Sequence, residues 1–215
     1  MSAFIKHCTG VILAGGENTR MPVLKAFIEV EGQRIIEKNI GTMKMLFKDL
    51  CIVTNQPGSY SYLGVPMLGD VYNIRGPMTG ILTALLNSPN PRVFISACDM
   101  PFLNRDLIEY MAIKVAEKDA VVPVLGRNPE PLFAFYSRHL LGPMEKAVQT
   151  GRNSMRDFLR NKRVKYITID EIKKIDTRGT SFVNLNSPED IERYLRKKDI
   201  IRFKRTVKRE VTCLD

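Results

Sequence analysis

Short runs that are almost wholly apolar and end in glycine, asparagine or aspartate alternate with longer mixed segments of helical spacing. That alternation constrains the fold more than any other feature of the chain. CTGVILAGG (8–16), LCIVTNQP (50–57) and RVFISACDMPF (92–102) read as buried strands, with VPMLGD (65–70) as a shorter one. Between them IIEKNIGTMKMLF (35–47), PMTGILTALL (77–86, entered through Pro77) and DLIEYMAIKVAEKD (106–119) read as helices. Strands with no polar face need cover on both sides, and strands separated by helices of this length form a parallel, three-layer sheet. The expected class is therefore α/β with a mainly parallel twisted sheet.

The second half changes rhythm. DAVVPVLGRNPEPLFAFYS (119–137) reads as two strands around a polar turn, because PLFAFY is too short and too aromatic to favour a helix. HLLGPMEKAVQTG is a helix stopped by Gly151. SMRDFLRN is a short helix capped by Ser154, with Asp157 placed as in a capping box. VKYITIDEIKKID reads as a strand with its continuation, and SPEDIERYLRKK as a helix opened by Ser187, Pro188, Glu189 and Asp190. Neither an internal repeat nor a low-complexity linker divides the chain.

At 215 residues the chain is long enough for one full domain at about 150 residues each, with a small lobe to spare. Four scattered cysteines (Cys8, Cys51, Cys98, Cys213), no CxxC and two histidines do not make a typical structural zinc site. They read as reduced thiols of a cytoplasmic protein. No stretch reads as a membrane span or signal peptide. The formal charge is +10, and nine of the 33 Lys and Arg crowd into residues 193–215. That tail reads first as a solvated helix end and arm. Beyond Phe203 it lacks the interleaved aromatics of a nucleic-acid surface, so nucleic acid is disfavoured as a partner.

Chemistry enters with LAGGENTRMPVLK (13–25). A buried strand delivers Gly15 and Gly16, whose missing Cβ lets backbone N–H groups approach an anion, and Arg20 and Lys25 follow as nearby cations. The pattern is neither a P-loop nor GxGxxG, and a Gly-Gly after a strand is on its own more often just a tight turn; the closely following Arg20 and Lys25 raise the phosphate reading to equal standing with it. Asp99 closes a buried strand, which sets its carboxylate at the edge where α/β sheets place ligands. One carboxylate plus phosphate oxygens suits Mg²⁺, although an aspartate before Met-Pro also caps turns.

Together these motifs resemble the MobA-like nucleotidyltransferases, and specifically the molybdenum cofactor guanylyltransferases. LAGG, three residues, Arg-Met, three residues and Lys25 is similar to that family's signature, with Pro22 and Leu24 where the family usually has glycine and an acid. Asp70 followed by GPMTG resembles its D…GPLxGI region, CDMPFL its metal motif, and RNPEPLFAFY (127–136) its acceptor-side segment. GRNSMRDFL resembles the later GxxSLxxxL stretch, and FVNLNSPEDI (182–191) resembles FxNxNTPED. The likeness spans roughly residues 10–192. It implies a Rossmann-like nucleotidyltransferase fold in one domain (1–199), its nucleotide part about 8–118 and its acceptor part about 119–192, with 200–215 a basic extension.

The same resemblance implies a reaction in which a phosphate oxygen of molybdopterin, carrying its metal, attacks the α-phosphorus of GTP and releases pyrophosphate. Arg20, Lys25 and Asp99 are its implied catalytic residues, with Asp99 as the Mg²⁺ ligand. Leu13, Ala14, Gly15, Gly16, Lys25, Asn55, Asp70, Gly80 and Asp99 would bind the nucleotide. Arg127, Glu130, Pro131, Asn184 and Asn186 would face the acceptor. The implied partners are GTP, the molybdopterin cofactor and the proteins that carry or accept it. The rival readings are a cytidylyltransferase, a transferase acting on another phosphate acceptor, and a silent nucleotide-binding module. Cys98 reads as packing, and His7 and His139 carry no role.

Overall fold

The structure, a computed structural model, describes residues 4–15, 24–185 and 187–194. Strand β1 (Cys8–Leu13) is followed, after a 3-10 turn at Lys25–Phe27, by a ribbon of β2 (Glu29–Val30) and β3 (Gln33–Arg34). Helix α1 (Ile35–Leu46), β4 (Asp49–Val53), the single turn α2 (Pro57–Tyr60), a 3-10 turn at Ser61–Leu63 and β5 (Met67–Leu68) come next, then α3 (Pro77–Asn87), β6 (Arg92–Ala97) and α4 (Arg105–Ala112). The second half contains β7 (Ala120–Leu125), β8 (Asn128–Pro129), β9 (Phe133–Ser137), α5 (Leu141–Gln149), α6 (Met155–Leu159), β10 (Val164–Ile167), α7 (Ile169–Lys173) and α8 (Pro188–Tyr194).

One sheet runs β10-β7-β9-β6-β1-β4-β5, with β8 paired to β7. Strand β1 lies parallel to β4 and β6, whereas β9 is antiparallel to both β6 and β7. The sheet is mixed for a simple reason. The α4 crossover carries the chain from β6 to β7 and leaves one position open between them. The connection from β7 to β9 is too short for a second crossover, so the returning strand fills that position antiparallel.

Each face buries its own core. Phe94 packs at 5.6 Å on Phe47, 5.2 Å on Phe133 and 4.8 Å on Phe135, joined by Met43 of α1 and Met111 of α4. On the other face Met78, Ile81, Leu82 and Leu85 of α3 meet Met144 and Val148 of α5 and Tyr136 of β9. Gly10 in β1 is required by this packing, because a Cβ there would stand 2.8 Å from Cδ2 of Phe47.

Three local expectations change in detail. Helix α4 ends at Ala112 because the 3-10-type bonds Lys114 N–H to Met111 O and Lys118 N–H to Val115 O tighten the chain, and Glu117 turns left-handed to enter β7. The continuation of β10 is helical: Thr168 Oγ1 accepts from Glu171 N–H at 3.3 Å while Glu171 accepts from Thr168 N–H at 2.9 Å, a complete capping box. At α6 only half a box forms. Ser154 accepts from Asp157 N–H, but the shorter Asp157 carboxylate sits 3.4 Å from Arg160. Among the described residues no helix is long and apolar enough to cross a membrane.

Candidate active site

The parallel strands β1, β4, β5 and β6 end together. Leu13 lies beside Val53 on one side and Ala97 on the other, and Val53 beside Leu68. The ladder then continues by single bonds, Ala14 N–H to Val53 O (2.9 Å), Thr54 N–H to Leu68 O (2.8 Å) and Cys98 N–H to Leu13 O (3.0 Å). Gly15, Asn55, Asp70 and Asp99 follow directly at this edge. The chain goes from β1 to β4 by way of α1 on one face, and reaches β6 on the other side of β1 by way of α3 on the opposite face. This reversal makes the edge beyond β1 and β6 a switch point, the position where such sheets open a ligand crevice.

Lys25 opens the 3-10 turn, and its Nζ stands 3.7 Å from Oδ2 of Asp99, with both side chains largely covered (24% and 18% exposed). Burial holds the Asp99 carboxyl above the usual carboxylate range even though Lys25 pulls it down. The carboxylate is thus short of solvation, which suits it to a further cation. Next to it, burial and the neighbouring carboxylate push the Cys98 thiol up to about 12, so it remains protonated at neutral pH.

Residues 97–99 form a junction of three segments. Ala97 N–H donates to Leu132 O at 3.1 Å, Cys98 N–H to Leu13 O, and Asp99 O accepts from Leu185 N–H at 3.1 Å. The glycine-containing β1 end, the Glu130–Leu132 segment and the Asn184–Leu185 segment therefore all meet at Asp99. The amide oxygen of Asn184 is buried there and makes no hydrogen bond among the described residues. Its segment is shaped by buried Asp176, which accepts from Ser181 N–H (2.9 Å) and Thr180 N–H (3.2 Å). Glu130 is half-buried with its carboxyl raised by burial, while Pro131 O accepts from Tyr136 OH at 2.7 Å. Arg127 is exposed at the tip of the β7–β8 turn.

On the far side of β1, Asn55 and Asp70 bond reciprocally: Asn55 Nδ2 donates to Asp70 Oδ2 at 2.8 Å and Asp70 N–H to Asn55 Oδ1 at 2.9 Å. The loop beyond is pinned by Val71 N–H to Thr83 Oγ1 (3.1 Å) and Tyr72 OH to Glu145 (2.6 Å). Gly80 is buried, and a Cβ on it would lie 3.2 Å from Leu13 Cδ2 and 3.8 Å from Val53. Its observed part is to let α3 approach β1 and β4 closely. Gly16, Arg20 and Asn186 lie outside the described residues, as does 195–215 with the basic extension. The Asp176 turn and the Tyr72–Glu145 link escape sequence reasoning. Asp176 carries a local signal in Asp-Thr-Arg-Gly, whereas Tyr72 and Glu145 are 73 positions apart.

Residues 10–166 match the MobA-like NTP transferase domain. A probable molybdenum cofactor guanylyltransferase of Peptoclostridium acidaminophilum is 33% identical over 193 residues, covering 86% of this chain and 87% of its own length. The molybdenum cofactor guanylyltransferase of Desulfosudis oleivorans is 34% identical over 187 residues, with 86% of this chain and 93% of that protein covered. The crystal structure of molybdopterin-guanine dinucleotide biosynthesis protein A from Archaeoglobus fulgidus superimposes with a TM-score of 0.75 at 25% identity, over 86% of this chain and 95% of that one.

Proposed function

Because the chain belongs to the MobA-like NTP transferase family, we propose that it transfers GMP from GTP to the phosphate of metal-bearing molybdopterin and releases pyrophosphate. The observation that carries this reading is the junction at residues 97–99. It brings the Lys25–Asp99 pair, the end of β1, the segment ending at Leu132 and the Asn184–Leu185 segment together. An acceptor phosphate oxygen forms the new bond to the α-phosphorus as the bond to the bridging oxygen of pyrophosphate breaks. The acceptor phosphate is already ionised near pH 7, so alignment and charge compensation are what the protein must supply.

Lys25, together with Arg20, holds triphosphate oxygens and stabilises the departing pyrophosphate. Asp99 fits as a ligand of Mg²⁺: it is a hard oxygen donor left short of solvation, and among the described residues no group of three or more acidic, Cys or His side chains supplies a complete cage. Such a donor set matches an ion that keeps phosphate oxygens and water as its other ligands. Bound there, Mg²⁺ supplies Lewis-acid charge stabilisation on the phosphates. Asn55 orients the Asp70 carboxylate through Oδ2, and Oδ1 is then suited to accept from N1–H and N2–H₂ of guanine, whereas adenine offers an acceptor at N1. Glu130 and Asn184, with Arg127, Pro131 and Asn186, serve the acceptor. The product passes to molybdoenzyme acceptors in the cytoplasm, in keeping with the free thiols of Cys8, Cys51 and Cys98.

The test is pyrophosphate release from GTP, CTP and ATP in parallel, with Mg²⁺ and a molybdopterin acceptor. GTP is expected to be used in preference, and Lys25→Ala to lose about 10²-fold or more in turnover, an electrostatic donor being worth about 3 kcal/mol. Near-normal turnover in folded Lys25→Ala removes the triphosphate role. Equal use of CTP or ATP removes the guanylyl specificity.

A further inference from the structure

Lys25 belongs to a turn outside the main sheet, yet its Nζ must stand at a fixed distance from the base-side pair Asn55–Asp70. Locally the turn is closed by Phe27 N–H to Leu24 O (2.8 Å) and Ile28 N–H to Lys25 O (3.2 Å). Two residues after Lys25, the Phe27 ring meets Tyr60 edge-on at 5.5 Å and Tyr62 at 6.4 Å. The Arg34 guanidinium carbon stands 4.8 Å from the centre of the Phe27 ring and 5.5 Å from that of Tyr62, and Nη1 donates to Tyr62 OH at 2.9 Å. Tyr60 and Tyr62 sit in the segment that leaves Asn55. Arg34 is itself fixed as the residue before α1, its N–H donating to Glu37 at 3.3 Å.

The two ends of this clasp are not equally anchored. Asn55 follows β4 and is tied twice to Asp70, and Thr54 N–H continues the ladder to Leu68 O. Among the described residues the Lys25 turn belongs to neither sheet and is held by buried Ala26, by the Lys25–Asp99 pair and by the clasp on Phe27. Of these the clasp is the hold that links the turn to the segment leaving Asn55, so loosening it shifts the turn relative to the base side, which keeps its own bonds. We propose that Arg34 is a positioning residue that, through its stack with Phe27 and Tyr62, sets the span between the triphosphate-holding Lys25 and the base-reading Asn55–Asp70 pair. The inference rests on the nucleotide reading of those residues given above. A planar guanidinium suits this place because it stacks on ring faces while donating in plane, which an ammonium does not do.

Titration calorimetry with GTP and, separately, with guanosine in Mg²⁺ buffer tests the inference. Arg34→Ala is expected to weaken GTP about fivefold to tenfold, the scale on which a small misplacement of a charge-bearing group acts, and guanosine less than about twofold. Tyr62→Phe, which keeps the ring, is expected to lose about twofold to threefold for GTP alone. Arg34→Lys is expected to remain close to Arg34→Ala. In a Lys25→Ala background Arg34→Ala adds no further loss, because the residue it positions is gone. Equal losses for GTP and guanosine, or the same loss with and without Lys25, overturn the inference by showing a general structural role. If Lys25→Ala alone binds GTP as tightly as the unaltered protein, the triphosphate reading of Lys25 falls, and the positioning role falls with it.

Discussion

Replacing Asp99 by Asn separates what the site needs for chemistry from what the fold needs for stability. At 3.7 Å from Lys25, a unit charge pair gains about 4 kcal/mol at an effective dielectric of about 20. That attraction lowers the Asp99 pKa, but burial raises it more and the balance lies above the usual value. Holding the carboxylate ionised thus costs the folded state more than Lys25 returns. A neutral side chain of the same shape relieves that cost. Asp99→Asn is therefore expected to unfold at higher urea than the unaltered protein at pH 7, by about 1 kcal/mol, a gain typical of relieved active-site groups. Its turnover is expected to fall about 10²-fold or more. Urea unfolding in the presence of a chelator, followed by far-ultraviolet circular dichroism, measures the first quantity, and pyrophosphate release the second. A variant that is less stable by about 1 kcal/mol refutes the reasoning, because attraction to Lys25 would then outweigh desolvation.

Three further perturbations test the packing and the caps. Gly10→Ala places its Cβ 2.8 Å from Cδ2 and 3.1 Å from Cγ of Phe47, a ring 2% exposed and stacked on Phe94. A cost of about 1–3 kcal/mol is expected, read as a lower melting temperature, while Gly41→Ala, with nothing within 4 Å on the exposed side of α1, is expected to stabilise by about 0.5–1 kcal/mol. Glu171 is held down to about 2, first by Thr168 N–H and then by Tyr110 and Lys165. Its folded value lies below its ordinary one, so its contribution is complete above about pH 4.5 and fades as the pH falls toward 2. Glu171→Gln is accordingly expected to cost about 1 kcal/mol at pH 7 and to converge on the unaltered protein only as the pH falls toward about 2 in urea unfolding; a gap that stays constant with pH rules out the charge as its source.

The strands that carry the site were legible because each has no polar face and gives way at its end to a residue of another kind, Leu13 to Gly15, Val53 to Asn55 and Ala97 to Asp99. The likeness to a known family added Asp70, Glu130 and Asn184, which no local pattern singles out. What stayed hidden is set by contacts between distant residues. The apolar FAFYS of β9 identifies a central strand but carries no mark of its antiparallel direction, which follows from the gap left between β6 and β7. The bonds from Ala97 to Leu132 and from Asp99 to Leu185 are likewise tertiary. So is the clasp of Arg34 on Tyr62, 28 positions away. In Thr168-Ile-Asp-Glu171 the capping spacing was present, but the β-branched run before it pointed toward a strand.

The position of β1 in the middle of the sheet also dictates a timetable for the growing chain. Its first neighbour, β4, is synthesised soon after it, but Cys8 has to wait for Arg92 before the other side of β1 is covered. At about 5–20 residues per second, that side stands open for roughly 4–17 s on the ribosome. Strand β6 then waits for β9, more than forty residues later, for roughly 2–9 s. During each interval an apolar strand with unpaired backbone groups is available to other chains. Strands β1, β4 and β6 thus pair before β9 arrives, and the strand that brings Leu132 to the end of β6 is also the one that covers the last open edge beside it.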